Sequence, residues 1–473
     1  MHMLRDARTM GVSAFFSLGV SALRSILVLR LLGPEPSGVW KTVMVLYMAG
    51  EFLRLGVSKG MGFRVPVFAG RQREDEIAED VHAAGAYMLL TGAVFAVALT
   101  VASFFATNAA YATALRYMAV IMFLGQPHQW LRELAASRQR FDLRGRELLL
   151  SGLVDLVAGL TLSSLFGLSG IGMATVLTIA VPLGYLLRSQ REALGIRWNW
   201  PRVRELMRAG ISPSLADSAF GLLRFVDLLV LSAVLGSTAA GHYQVSLLVA
   251  EFSISIGNFA VSQVVGSHML REFGRVGSVK QVAIYYERPL ELLSTILPPV
   301  LAAGSVLIGP VVTLLLPQYT PGIGAAAVTV WTTFFLCVHL ALTSFFQAAQ
   351  KYQTVLGLFA VVLPMTALSH YLVVSNRGGL AAVAWTSLGA LVATVTAELW
   401  IARRESGESA RQIGQFVARL YAPVAVLMLV TRGMEAQAWE TGWRLTAIAL
   451  VSSLLLWHSA PKLALLRAAR QPA

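Results

Sequence analysis

The chain carries a single cysteine, Cys337, among 473 residues. One thiol makes neither an internal disulfide nor a multi-thiolate metal site, and its apolar surroundings in sequence suit a small packing residue. Acidic residues are few, 25 against 38 lysines and arginines, and charged residues of both signs make up only 13% of the chain. No GxxxxGK[ST] phosphate loop is present, which removes direct coupling to ATP hydrolysis. No spacing of His, Cys, Asp and Glu matches a metal centre. Long polar stretches are also missing, so little chain is left for a soluble domain.

What fills the chain instead is apolar: 56% of residues are hydrophobic. A hydrocarbon core about 30 Å thick takes roughly 20 such residues per helical crossing. About fourteen crossings are expected, at 10–32, 38–62, 81–106, 112–136, 146–167, 169–188, 206–235, 240–267, 287–316, 322–347, 352–375, 378–402, 412–431 and 440–459. The net charge of +13 and pI near 10.2 would point to nucleic acid in a soluble protein. Here the cations gather in alternate gaps, as at Arg138, Arg140, Arg144 and Arg146, then Arg188 to Arg204, then Arg403, Arg404 and Arg411. That is membrane topology, and it places both termini in the cytoplasm and nucleic acid outside the expected partners. The first apolar run lacks a small-residue cleavage site and is expected to stay as a span. The segment Arg71 to Asp80 mixes both signs and is expected to form a solvated helix beside the membrane.

The two halves of the chain echo one another. Residues 32–40 read LGPEPSGVW and 235–243 read LGSTAAGHY, both at a turn between two spans. Leu23-Arg24 has a counterpart in Leu223-Arg224, and Glu51-Phe52 in Glu251-Phe252. The division expected from this is a first six-span bundle over 1–189 and a basic linker over 190–205. A second bundle follows over 206–403, then two extra spans and a tail over 404–473. Parallel repeats are a transporter architecture, with the substrate at the repeat interface.

This arrangement resembles the polysaccharide-type flippases of the multidrug/oligosaccharidyl-lipid/polysaccharide exporter superfamily. The likeness rests on RLLGPEPSGVWKTVMVLY (30–47), its echo over 234–251, LLLPQYTPGIGAAA (314–327) with the span end FFQAAQKYQ (345–353), and LRELAASRQRF (131–141). It covers most of residues 10–400, although Pro317 stands where relatives often carry glycine. The resemblance implies two six-helix bundles around a central cavity. It also implies export of a polyprenyl-(pyro)phosphate-linked oligosaccharide across the cytoplasmic membrane by alternating access, coupled to H+ or Na+ and with no other cofactor. The bilayer and the polysaccharide-assembly machinery are then the expected partners. A multidrug exporter and a lipid II flippase are the neighbouring alternatives. A membrane-embedded glycan polymerase or ligase is the alternative of another class, disfavoured because no external gap is long enough to gather catalytic groups.

Ionisable residues inside spans are costly and mark cavities or partners. Arg24, Arg54, Lys59 and Arg224 are the candidates for holding a phosphate, because guanidinium groups grip such oxygens in pairs and stay charged. The competing reading pairs Arg24 with Glu51, and Arg224 with Glu251 or Asp227. Asp155, Asp217, Asp227, Glu51 and Glu251 are the candidates for ion coupling, Asp155 foremost because no cation lies near it in sequence. His128, Arg132 and Glu133 read as an interfacial anchor, and His339 and His370 as isolated packing histidines.

Overall fold

The computed structural model describes residues 19–191, 195–257, 284–349, 351–437 and 439–453, and all regular structure among them is helical. In chain order the helices are α1 (19–32), α2 (Pro34–Leu53), α3 (Val57–Gly70), α4 (Glu74–Phe105), α5 (Ala109–Ser137), α6 (Phe141–Ser189), α7 (Trp200–Leu223), α8 (Val226–Leu235) and α9 (Ser237–Gly257). They continue with α10 (Ile284–Leu315), a 3-10 turn (Pro317–Gly322), α11 (Ile323–Ala348), α12 (Tyr352–Ser375), α13 (Leu380–Glu405), α14 (Ala410–Ala436) and α15 (441–453).

Seven described helices are individually long and apolar enough to cross a membrane, and the bent pair α7–α8 makes an eighth. Within α6, Gly167 has φ 56°, so this long helix is two crossings joined at a sharp turn. The second crossing is likewise interrupted: Leu55 and Gly56 take φ of 44° and 76° and separate α2 from α3. The fold is that of an all-α integral membrane protein; of the fourteen expected crossings, those at 10–32, 240–267 and 440–459 lie partly outside the described residues.

The internal repeat is written into the backbone. Gly33 and Gly236, 203 residues apart, share an unusual conformation (φ 76°, ψ 173° and φ 86°, ψ 177°), and each opens the next helix. Gly167 and Arg377, 210 apart, both take positive φ at the turn between two crossings. The ends of α5 and α11 carry the same pair of backbone hydrogen bonds: Arg138 to Leu134 and Arg140 to Ala135, against Ala349 to Phe345 and Lys351 to Phe346.

The chain forms two compact units, Met1–His242 and Tyr243–Ala473. In the second, α11 is the central helix: its most apolar window is 94% buried, with Trp331, Phe334 and Phe345 almost wholly enclosed. A helix apolar all round belongs in an interior. Helices around it, such as α12 and α14, show only about a quarter of their windows buried and turn residues such as Met365, Leu368 and Leu429 outward.

In the first unit, close backbone approach replaces bulky packing at two places. Where α3 crosses α7, a Cβ on Gly56 or Gly60 would run into the backbone of Gly210 or Leu206, and one on Gly210 into Gly56. At the other end of α2, a Cβ on Gly38 would strike the Ser237 carbonyl, and one on Gly241 the Pro34 carbonyl. These last contacts are reciprocal under the repeat, since Pro34 and Gly38 are the counterparts of Ser237 and Gly241. Lipid tails are as apolar as leucine, so helices in a bilayer associate through such small-residue packing.

One expectation fails here. Residues 74–80 do not form a separate surface helix; they are the opening turns of α4, continuous with its apolar part, and Ile77, Asp80 and Val81 are buried.

Gly60→Leu and Gly241→Leu are expected to destabilise the detergent-solubilised protein by at least about 1–3 kcal/mol, the range for overpacking. Gly414→Ala and Gly70→Ala, where a Cβ meets open space, are expected to leave the melting temperature within error.

Candidate functional site

Three of the four cations expected to meet substrate are held by acids expected to couple an ion. Arg24 on α1 and Asp155 on α6 form an ion pair at 3.1 Å, both largely shielded. Thr178, one crossing further along α6, lies 3.5 Å from the same carboxylate. Gly159 makes room for the pair, since a Cβ there would come within 2.8 Å of Arg24 Nε. Asp155 therefore has a cation after all, supplied from 131 positions away in the chain, and Arg24 pairs with it rather than with Glu51.

Glu51 is taken by Arg54, three residues on. Arg54 is 1% exposed, at the break between α2 and α3, and its Nε donates to Gln126 Oε1 on α5 at 2.8 Å. Lys59 on α3 pairs with Asp217 on α7, in a more open setting with each side chain about half exposed. Neighbouring Glu133 feels Lys59, Arg144, Arg132 and Arg54 together.

Arg224 caps α7 where the seventh crossing bends by 43°. Its guanidinium lies 5.4 Å from the Phe225 ring centroid, and Lys41 from α2 approaches that ring at 5.8 Å. Asp227 is buried in the first turn of α8, where its carboxylate accepts from the Leu228 N–H. Counted back from the shared glycine turn, Arg24 stands nine residues before Gly33, whereas nine before Gly236 stands Asp227 and Arg224 stands twelve before. Counted from the glycine turn, the repeat therefore sets Arg24 against Asp227 in register rather than against Arg224. Glu251, on α9 in the second unit, is half-buried.

The sequence reading missed two further groups. Arg64 on α3 bonds Asp80 on α4 at 2.8 Å and Glu205 on α7 at 2.8 Å. Arg202 gathers Glu76, Glu79 and Glu205. The mixed-sign run after Arg71 was the signal, read as solvated when it is partly clasped. His128 and Arg132 converge on the buried Glu147 of α6 at 3.1 and 3.4 Å, which makes them a link between crossings rather than an interfacial anchor. His370 is a satisfied packing residue, bonded to the Thr366 carbonyl and to Ser387. His339 is not isolated: it meets Glu398 at 2.9 Å. Among the described residues no group of acids, histidines and cysteines could hold a metal.

The fold is shared with known transporters. An inward-facing multidrug resistance transporter of the MATE family, in the MOP superfamily, superposes with a TM-score of 0.67 at 14% identity, over 85% of this chain and all of the other. An outward-facing structure of such a MATE transporter gives 0.64 at 14% identity, over 87% and 96%. A MOP-superfamily transporter from Pyrococcus furiosus, described by a binding pocket of reverse polarity that suggests a different function, gives 0.63 at 13% identity, over 85% and 95%. No curated protein matches the chain. A model of the polysaccharide biosynthesis protein family matches residues 27–323, well over half of the sequence, and the chain belongs to that family. It is an integral membrane protein that shares its fold with transporters of known structure.

A double-mutant cycle should separate the two kinds of pair. Arg24 and Asp155, shielded, are expected to show a coupling energy above about 1 kcal/mol in unfolding titrations. Lys59 and Asp217, half exposed, should show about 0.2–1 kcal/mol. Asp80→Ala is expected to cost about 1.5–3 kcal/mol, the range for hydrogen bonds to a charged group, because Arg64 loses its buried partner and keeps Glu205.

Proposed function

We propose that this protein flips a polyprenyl-(pyro)phosphate-linked oligosaccharide across the cytoplasmic membrane for cell-surface polysaccharide synthesis. The observation that carries this reading is the set of cations embedded in the first unit, each matched to a carboxylate. A guanidinium already holding a carboxylate is geometrically ready for a phosphate, whose oxygens offer the same paired acceptors. Phosphate and carboxylate compete for the same donors. Protonating Asp155 would free Arg24 for the substrate, and departure of the substrate would return Arg24 to the carboxylate. Proton and anion binding are then linked with favourable sign, each strengthening the other.

The alternation of basic loops supports both termini in the cytoplasm. Basic residues of those loops would meet the anionic lipid and the pyrophosphate on the synthesis side. The closely packed glycines at both ends of α2 supply places where helices can part and rejoin with little side-chain rearrangement. Membership in the polysaccharide biosynthesis family favours an oligosaccharide cargo. The second reading, a multidrug exporter, draws on the fold of the MATE transporters. Against it, a cationic drug would be repelled by Arg24, Arg54 and Lys59 once their carboxylates were protonated.

The test is transbilayer movement of a lipid-pyrophosphate oligosaccharide in proteoliposomes. Arg24→Ala is expected to slow transport about ten- to hundredfold, matching the loss of about 1.5–3 kcal/mol in hydrogen bonding to a charged group. Arg24→Lys should recover only part of this, for want of the paired donors. Absence of movement of any such lipid by the wild type, together with saturable binding of a cationic drug, would move the assignment to drug export.

A further inference from the structure

We propose that the exposed face of the opening turns of α7, together with the stacked pair Trp198 and Trp200, binds anionic phospholipid headgroups. The inference goes beyond the cargo reading and does not rest on it, since it concerns the lipids of the membrane itself. α7 has two faces here. Val203, Leu206 and Gly210, at i, i+3 and i+7, are buried, and the backbone at Leu206 and Gly210 lies against Gly60 and Gly56 of α3. Trp200, Arg204 and Arg208, at i, i+4 and i+8, fall on the opposite side and are exposed.

The start of the helix is built to present the two indoles. Asn199 caps α7, its Oδ1 accepting the Arg202 N–H at 3.3 Å, and its extended backbone (φ −139°, ψ 93°) sets the residues before and after it to one side. Trp198 and Trp200 stack there with centroids 6.2 Å apart and planes 13° from parallel. They stay 54% and 50% exposed. A half-covered indole is amphipathic and suits the headgroup layer. Helix length agrees. α7 and α8 count 24 and 10 residues, about 36 and 15 Å at 1.5 Å per residue. Bent by 43°, the pair outruns the hydrocarbon core of about 30 Å and suits the roughly 40–45 Å that includes both headgroup layers.

Charge selects the lipid. Among the described residues, the carboxylates that bond the first turns of α7 are Glu76, Glu79 and Glu205, and each is engaged. Arg202 holds Glu76 at 2.5 Å and Glu79 at 2.7 Å; Glu205 meets Arg64 at 2.8 Å and Arg202 at 3.3 Å. Arg197, Arg204 and Arg208 are exposed and join no ion pair among the described residues. These guanidiniums, set beside two indoles, leave positive charge facing outward. The oxygens of a lipid phosphate are the paired acceptors a guanidinium fits, and each basic residue held at an anionic surface adds attraction. A zwitterionic lipid offers the same phosphate but brings a cation of its own, which the arginines repel. An acidic protein would also satisfy the arginines, yet it leaves unexplained the half-covered indoles where a helix enters the bilayer.

The full chain in lipid nanodiscs tests this face with no cargo present. Discs of phosphatidylcholine receive equal amounts of either brominated phosphatidylglycerol or brominated phosphatidylcholine, bromine being a contact quencher of tryptophan. The chain has 10 tryptophans, so the emission of Trp198 and Trp200 is read as the difference between wild type and Trp198→Phe/Trp200→Phe. That component is expected to be quenched more strongly by the brominated phosphatidylglycerol. The preference should fall about fivefold for each arginine removed, in Arg204→Gln and then in Arg204→Gln/Arg208→Gln. Arg204→Lys/Arg208→Lys, which keeps the charge, should retain most of it, with circular dichroism and melting temperature establishing that each variant folds. Added salt should weaken the same preference in wild type, a readout that needs no arginine variant. Equal quenching by the two lipids, a preference untouched by salt or by loss of both arginines, or emission reached only by a quencher dissolved in water would overturn the assignment. The last result would mean a face covered by water or by a protein partner.

Discussion

An unbalanced charge inside a bilayer or a protein interior is too costly to leave alone, and this constraint organises the protein. Each charged side chain carried into a crossing must find water, a partner or a proton. In the first unit the answer is a partner: Arg24 with Asp155, Arg54 with Glu51, Lys59 with Asp217, Arg64 with Asp80. Such pairs do not by themselves make a protein stable, since their attraction barely repays desolvation. Under the proposed function, their presence on several crossings of one unit would serve exchange of a carboxylate for a substrate phosphate at the same cation.

Packing follows a matching logic. Because lipid offers no hydrophobic gain for bringing helices together, closeness of backbones matters more than side-chain volume. Gly56, Gly60 and Gly210 on one side and Gly38 and Gly241 on the other are the positions where α2 and α3 are held against α7 and α9. The break at Leu55-Gly56 interrupts the second crossing beside the first of those contacts, and the break at Arg224-Phe225 interrupts the seventh. Arg54 and Arg224 stand at these two breaks, so the points of helix distortion coincide with points of charge.

The two units solve the same problem differently. At equivalent places in α5 and α11 a histidine meets a buried glutamate, yet the partner comes from α6 in one unit and from α13 in the other. The arginine that accompanies the first pair has no counterpart in the second.

The sequence alone determined the apolar helices, the repeat and the all-α membrane fold class, because each is a local or periodic property: apolar runs of fixed length and glycine turns at matched intervals. It also singled out the embedded charges, since a lone Arg or Asp in an apolar run is conspicuous. Who pairs with whom was decided only by tertiary structure. Asp155 looked solitary because its cation lies 131 positions away, and His339 looked isolated because Glu398 lies 59 away on another helix. The acidic run in the opening turns of α4 looked solvated for the same reason, its basic partners Arg64 and Arg202 being on α3 and α7. Helix periodicity reports which face a residue occupies; it carries no record of which other helix that face will meet.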